Sequence, residues 1–399
     1  MFVAGVWMLA VHPDDWGGRW AGLAAYLRVS LLVLCALMVA AGAWQVGRER
    51  RRGMGELLGS VPRPGWQPLL VAWVAVSLAG TLGLLVAFAA AAVLVGRIAT
   101  YAGGGWWWTL AVGVLALWTA TAFGVLVGRL VPLRAAAPVA GLATYVGLAV
   151  VTYFEQTGVA WLSPLYTGWS TYLLVPGVLH LWQALWLLAL TGALLALAAR
   201  LRRAALLAGV IAVAAAAPIV FGAGPRLRNL PPDPAATRAV CTTDGPQVCV
   251  ARINGFLLDD AAAVIQPVLR RIEGIPGAPV RASDYAMKAP EQSYDPADGT
   301  LWLNLDFQAT ATGGLSNVDH LRGDARQVIY EQCDVRDQQV YASRDLALAW
   351  LLDDKPFYDV PVDRLRALPP DRQRAWFGAF LDVSRRCDAA GMTRLLGEL

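Results

Sequence analysis

Lysine is almost missing from this chain. Of its 33 basic residues only Lys288 and Lys355 are lysines, and both lie in the second half. Histidine occurs three times, at His12, His180 and His320, and acidic groups are nearly absent before Gly224. No carboxylate stands in the middle of an apolar run, and a proton- or sodium-driven carrier normally needs one there. The net charge of +4 is small for 399 residues, and the first-half arginines cluster at the ends of apolar runs. That is a topology signal and not a nucleic-acid footprint. Chemical motifs are missing too. There is no H-E-x-x-H, no G-x-S-x-G elbow and no glycine-rich phosphate loop or Walker motif, so enzymatic activity and nucleotide hydrolysis are not expected of this chain itself. Asp319, His320 and Asp324 (D-H-L-R-G-D) are a weak metal candidate, because an isolated histidine on a polar helix is usually solvated; no metal and no cofactor is expected. No cleavable small-residue site follows a short apolar core, so the first long apolar run should itself direct membrane insertion.

What is present is grease with periodic interruptions. Residues Phe2 to Val11 are apolar, but at 1.5 Å per residue they reach only about 15 Å against a hydrocarbon core of roughly 30 Å. They read as the stump of a span, with His12-Pro13-Asp14-Asp15 as a polar outer loop. Six full spans follow, at about 23–46, 69–95, 109–127, 135–154, 178–199 and 204–221. Arg28, near the outer end of the first of these, is expected to snorkel outward. Gly103 to Trp108 (G-G-G-W-W-W) suits a membrane-interface belt. Residues 155–177 are aromatic and broken by Pro164 and Pro176, which suggests two short half-helices dipping into the outer leaflet. Ser77, Thr81, Thr119, Thr121, Gln183 and Thr191 are expected to serve mainly as helix–helix glue. Arginines fall after alternate full spans: Arg48 to Arg52, then Arg129 and Arg134, then Arg200, Arg202 and Arg203. Those loops are assigned to the cytoplasm, and Arg97 falls on an outer loop.

The loop from Gly47 to Pro68 (G-R-E-R-R-R-G-M-G-E-L-L-G-S-V-P-R-P-G-W-Q-P) carries the densest positive charge of the first half. Met54, Leu57, Leu58 and Val61 recur at i, i+3, i+4, i+7, the spacing of one helix face. Arg48, Glu49, Arg50, Arg51 and Glu56 would occupy the remainder, and Pro62, Pro64 and Pro68 would end the helix and turn the chain back. Arginines alone would anchor topology, but they leave the apolar stripe unexplained; a docking element explains both.

After Gly224 charge and proline rise. Residues 1–223 are read as the membrane domain, 224–240 as a proline-rich linker and 241–399 as an α+β domain outside the membrane. Helical patterns occur at about 260–273, 318–333, 343–352 and 371–387, with Asp259 or Asp260 and Ser343 as N-cap candidates. Strand patterns occur at about 247–252, 279–282 and 301–307. Cys241 and Cys249 flank an Asp-Gly-Pro turn and are most simply a disulfide; Cys333 and Cys387 remain as a second candidate pair. Cys35 lies within a span and is expected to be inert packing.

The docking loop, the alternating topology and the broken segment before a late span together resemble the permease subunit of a type-2 ABC transporter. More narrowly, G-R-E-R-R-R-G-x-x-E-L-L followed by P-R-P, with V-C-T-T-D-G-P-Q-V-C-V farther on, resembles actinobacterial-type permease-like proteins with an extracytoplasmic C-terminal domain. The likeness covers about Phe2 to Cys249. It departs from the family pattern in lacking the amphipathic N-terminal helix and most of the first span, and in carrying a seventh run. It implies a polytopic α-helical protein of the plasma membrane, working by alternating access for export. It also implies a separate ABC ATPase, docked through a coupling helix at about 48–61, and a second permease subunit. The rival reading is a non-transporting, membrane-anchored envelope sensor or ligand-binding protein; an outer-facing hydrolase is a weaker third.

Overall fold

The structure, a computed structural model, describes residues 7, 9–51, 64–131, 133–152, 158–166, 171–222, 230–288, 299–329 and 337–399. It divides into two compact units, Met1–Asp233 and Pro234–Leu399. The first is helical: α1 (Trp20–Val29), α2 (Leu31–Arg51), α3 (Gln67–Ile98), α4 (Trp106–Leu130), α5 (Ala136–Thr152), α6 (Gly177–Ala198) and α7 (Arg202–Ala217). Among the described residues, five segments are long and apolar enough to cross a membrane: Leu31–Arg48, Gln67–Ile98, Trp106–Leu130, Gly177–Ala198 and Arg202–Gly222. The last continues α7 through a π-helical turn at Pro218–Gly222. Helix α5 has 17 residues, about 25 Å of rise, somewhat short of a full hydrocarbon core.

Three local expectations change. The run expected as one span at 23–46 is divided at Ser30, whose hydroxyl donates to the Tyr26 carbonyl at 3.0 Å; such a side-chain bond competes with the helical ladder. Pro68 does not end a helix but sits in the first turn of α3, where its missing N–H costs nothing. Two half-helices were expected within 155–177; among the described residues there is one short 3₁₀ turn, Gly158–Leu162. Farther on, Leu173 makes an isolated antiparallel bridge to Pro232. The chain just before the second unit is thus tied down: Asp233 donates its N–H to the Tyr172 carbonyl at 2.8 Å, and Tyr101 Oη donates to its carboxylate.

Helices α2 and α4 meet backbone to backbone. A Cβ added at Gly124 would overlap the Val39 carbonyl, one at Gly128 would lie 2.5 Å from the Ala43 oxygen, and one at Gly42 would lie 2.7 Å from the Thr121 oxygen. Small residues permit this approach, the usual way for helices to associate where lipid offers no hydrophobic drive. Polar residues add bonds across the bundle. Thr119 Oγ1 and Thr191 Oγ1 are 2.9 Å apart, and Trp118 Nε1 donates to Thr81 Oγ1 at 2.9 Å.

The C-terminal unit is α+β. Strands β1 (Ala239–Cys241), β2 (Val248–Ala251), β3 (Arg281–Asp284) and β4 (Thr300–Leu303) form one sheet in that order. β1 runs antiparallel to β2, while β2, β3 and β4 are parallel. Helix α8 (Leu258–Arg271) makes the crossover from β2 to β3. After β4 come α9 (Val318–Asp324), α10 (Gln338–Leu352), α11 (Val362–Ala367), α12 (Pro370–Arg385) and α13 (Ala389–Gly397). The core joins Val250, Ile265, Leu303, Trp350, Phe377 and Phe380.

Cap placement differs from expectation. Leu257 is the N-cap of α8, with Asp259 and Asp260 inside its first turn. Asp337 caps α10 by accepting from the Gln339 N–H at 2.8 Å. Ser343 is buried mid-helix and donates to the Gln339 and Met392 carbonyls. The strand expected over 301–307 stops at Leu303, and Phe307 has φ of 58°, a left-handed turn.

Candidate functional site

The charged loop emerges from the tightest part of the bundle. Arg48 is exposed on the last turns of α2, and Glu49, Arg50 and Arg51 continue that helix. The first turn assigned to a docking helix is therefore a continuation of α2. Met54, Glu56, Leu57 and Leu58 lie outside the described residues. Both exits of the loop are fixed: Val46 of α2, Leu69 and Ala72 of α3, Val125 of α4 and Ala198 of α6 form one buried cluster.

A second constellation was not anticipated. Arg28, on the last turn of α1, is 1% exposed. It does not snorkel, because residues 158–166 pack over it. Its Nε donates to the Pro164 carbonyl at 2.5 Å and its Nη2 to Gln183 Oε1 at 3.2 Å. Gln183 Nε2 donates to the Trp161 carbonyl at 2.8 Å, which sets the amide orientation and turns Oε1 toward Arg28. The same Oε1 lies 3.2 Å from His180 Nδ1. An amide oxygen only accepts, so the proton of His180 is on Nδ1. Trp108 stacks on the far side, its ring within 8° of parallel to the imidazole at 6.3 Å. Gln183 and His180 are themselves buried.

These bonds hold an irregular backbone segment against the helices, since two of its carbonyls, Trp161 and Pro164, are accounted for by side-chain donors. They do not complete the guanidinium. Arg28 Nη1 is buried without a hydrogen-bond partner among the described residues, and no ion pair there includes Arg28. An uncompensated buried charge carries a penalty of several kcal/mol. The sequence held a faint signal for this site: an arginine inside one apolar run and a glutamine inside another. Nothing in either stretch shows that a loop 136 residues away from Arg28 covers it.

In the C-terminal unit Cys241 and Cys249 are disulfide-bonded and stand opposite one another across the β1–β2 pair. Cys387 is also disulfide-bonded; Cys333 lies outside the described residues. Cys35 is a buried free thiol. Asp319 and His320 are exposed, and Asp324 accepts from the Asn304 N–H at 2.8 Å. No group of three or more histidine, cysteine or acidic side chains is placed to hold a metal among the described residues. Buried Asp284 accepts from the Ala251 N–H, Asn254 Nδ2 and the Ala286 N–H, which gives it a structural task. A groove of about 720 Å³ runs beside α12, lined by Glu273, Asp371, Arg374, Asp382 and Arg385 among others. Compared with family models, curated proteins and solved structures, the chain has no match.

Proposed function

We propose that this chain is the membrane-spanning permease subunit of an ABC exporter, driven by a separate ATPase that docks on the loop after α2. The observation that supports this most is the mounting of that loop. It leaves a helix packed backbone to backbone on α4, and a buried cluster drawn from α2, α3, α4 and α6 holds both of its ends. A cytoplasmic element that must transmit force needs such a rigid base, whereas a topology anchor needs only its arginines. In this reading the chain has six full spans after a partial first one, with α5 as the shortest. Arginine-bearing loops face the cytoplasm and the C-terminal unit lies outside, a compartment that suits its disulfides. A second permease subunit completes the path, and Arg48, Glu49, Arg50, Arg51, Met54, Glu56, Leu57 and Leu58 make the contact with the ATPase.

The test is copurification. Leu57→Asp puts a carboxylate in the hydrophobic contact, where an unpaired buried charge is heavily disfavoured; the ATPase should be lost while membrane insertion stays intact. Replacing Arg50 and Arg51 by glutamine should weaken the complex and reduce its salt dependence. If a nucleotide-hydrolysing partner binds the Leu57→Asp protein as tightly as the parent, the coupling assignment is wrong.

The charged groove beside α12 favours one second reading, an envelope-facing ligand-binding protein for which the helices are an anchor. On that reading Leu57→Asp has no effect on any complex.

A further inference from the structure

We infer that Arg28, with Gln183 and His180 behind it, is a binding site for a single oxyanion, a carboxylate or phosphate group. Three observations converge. First, the cation is buried beyond the reach of bulk water, at 1% exposure. Second, its partners among the described residues are neutral: the Pro164 carbonyl and the Gln183 amide take Nε and Nη2, and no ion pair among those residues supplies a counter-charge. Third, Nη1 is left without a partner among the described residues. Buried arginines are normally matched by acids, because desolvation of the charge is otherwise uncompensated. Here two corners of the guanidinium fork are held by the protein and the third, buried, has no hydrogen-bond partner among the described residues, which pre-orients the group to donate to an oxygen seated against it.

The surrounding groups explain why an anion is wanted there and not a second base. Gln183 cannot turn its amide to offer Nε2 to Arg28, because that nitrogen already serves the Trp161 carbonyl at 2.8 Å. His180, with its proton directed at Gln183 Oε1, brings no negative charge. The site lies within two turns of the N-terminal end of α6, the end away from Arg200, Arg202 and Arg203. Among the groups that meet this description are the headgroup of an anionic lipid and a small soluble oxyanion. The inference does not depend on the transporter reading, since an anion can bind here whether or not an ATPase docks elsewhere.

The experiment uses the full chain in nanodiscs. Thermal unfolding is followed in neutral phosphatidylcholine discs, in discs containing phosphatidylglycerol, and in neutral discs with inorganic phosphate or acetate added. The parent should be stabilised by at least one of these anions. A rise confined to phosphatidylglycerol discs identifies a lipid headgroup; a rise with phosphate or acetate identifies a soluble oxyanion. Arg28→Gln should weaken retention of the effective anion by about tenfold or more. Should that variant fail to fold, Gln183→Glu decides the matter: its built-in carboxylate satisfies Arg28, so the midpoint should rise in neutral discs and stop responding to added anion. A parent that responds to none of these anions overturns the inference, as does a Gln183→Glu protein that responds as the parent does.

Discussion

Arg271 and Arg366 of the C-terminal unit and Arg28 of the helical unit are held in different ways. In the C-terminal unit Arg271 and Arg366 remain half-buried and share a carboxylate, Asp353, at 3.2 and 3.5 Å. In the helical unit Arg28 is enclosed and, among the described residues, donates to a carbonyl and an amide oxygen. Packing differs in the same sense. The C-terminal core is built from interlocking large side chains, with Trp350 and Phe377 at 4.8 Å between ring centres. The α2–α4 seam is built from glycine and alanine against main chain. Water rewards the removal of bulky apolar surface. Lipid does not, and it leaves close van der Waals approach and polar bonds to hold helices together. One chain thus carries two ways of packing, interlocked large side chains in one unit and close main-chain approach in the other.

The largest test of that contrast is Phe377→Ala. Phe377 is fully buried, and emptying its site should cost about 3–5 kcal/mol. Limited proteolysis of the full chain should then show the C-terminal unit digested at lower temperature while the helical unit persists; simultaneous loss of both would mean the units are not energetically separate. Gly124→Leu is the converse. It inserts bulk where main chain meets main chain and should cost about 1–3 kcal/mol, seen as loss of folded protein from detergent extracts with the C-terminal disulfide still formed. A benign Gly124→Leu would refute the close seam.

The smallest effect is a dependence on pH. Burial pushes the Asp324 carboxyl above its usual value, partly offset by the Asn304 N–H and by His320. The folded state therefore holds that proton more firmly than the unfolded chain does. Its contribution to stability is fullest in acid, below the ordinary carboxylate value of about 4, and is lost as pH rises through the raised value. Asp324→Asn should flatten this part of the pH profile of proteolytic resistance. An unchanged slope would assign it to another group.

The contrast also explains what could be read beforehand. Long apolar runs are legible because a span requires about twenty apolar residues. Helices α3, α4 and α6 accordingly overlie the expected stretches at 69–95, 109–127 and 178–199, the first two extended by a few residues at both ends and the third shifted by a single residue. The β1–β2 disulfide was legible from an Asp-Gly-Pro turn between two cysteines. Arg28 was not. Whether an arginine near the end of an apolar run reaches water depends on what covers it, and the cover comes from the far side of four intervening helices. The cap of α10 was misplaced for a related reason. Ser343 has the chemistry of a cap, but its hydroxyl serves a carbonyl of α13, a tertiary contact with no local trace. The docking loop keeps its sequence-based reading, because its apolar stripe lies outside the described residues.

The glycine seam between α2 and α4 has a mechanical consequence. Side chains that interdigitate can change rotamer and let neighbouring helices shift a little, but main chain pressed on main chain has no such slack. Helices α2 and α4 should therefore travel as one rigid strut, and any rocking of the bundle must be taken up at looser joints. The most exposed of the long helices is α7, with only 22% of its apolar window buried. Spin labels placed on Arg48 and Arg129, at the corresponding ends of α2 and α4, should keep one separation across every state of the protein. Labels on Arg129 and Arg202 should report whatever motion there is. A broadened distance distribution for the first pair would locate a joint inside the strut itself.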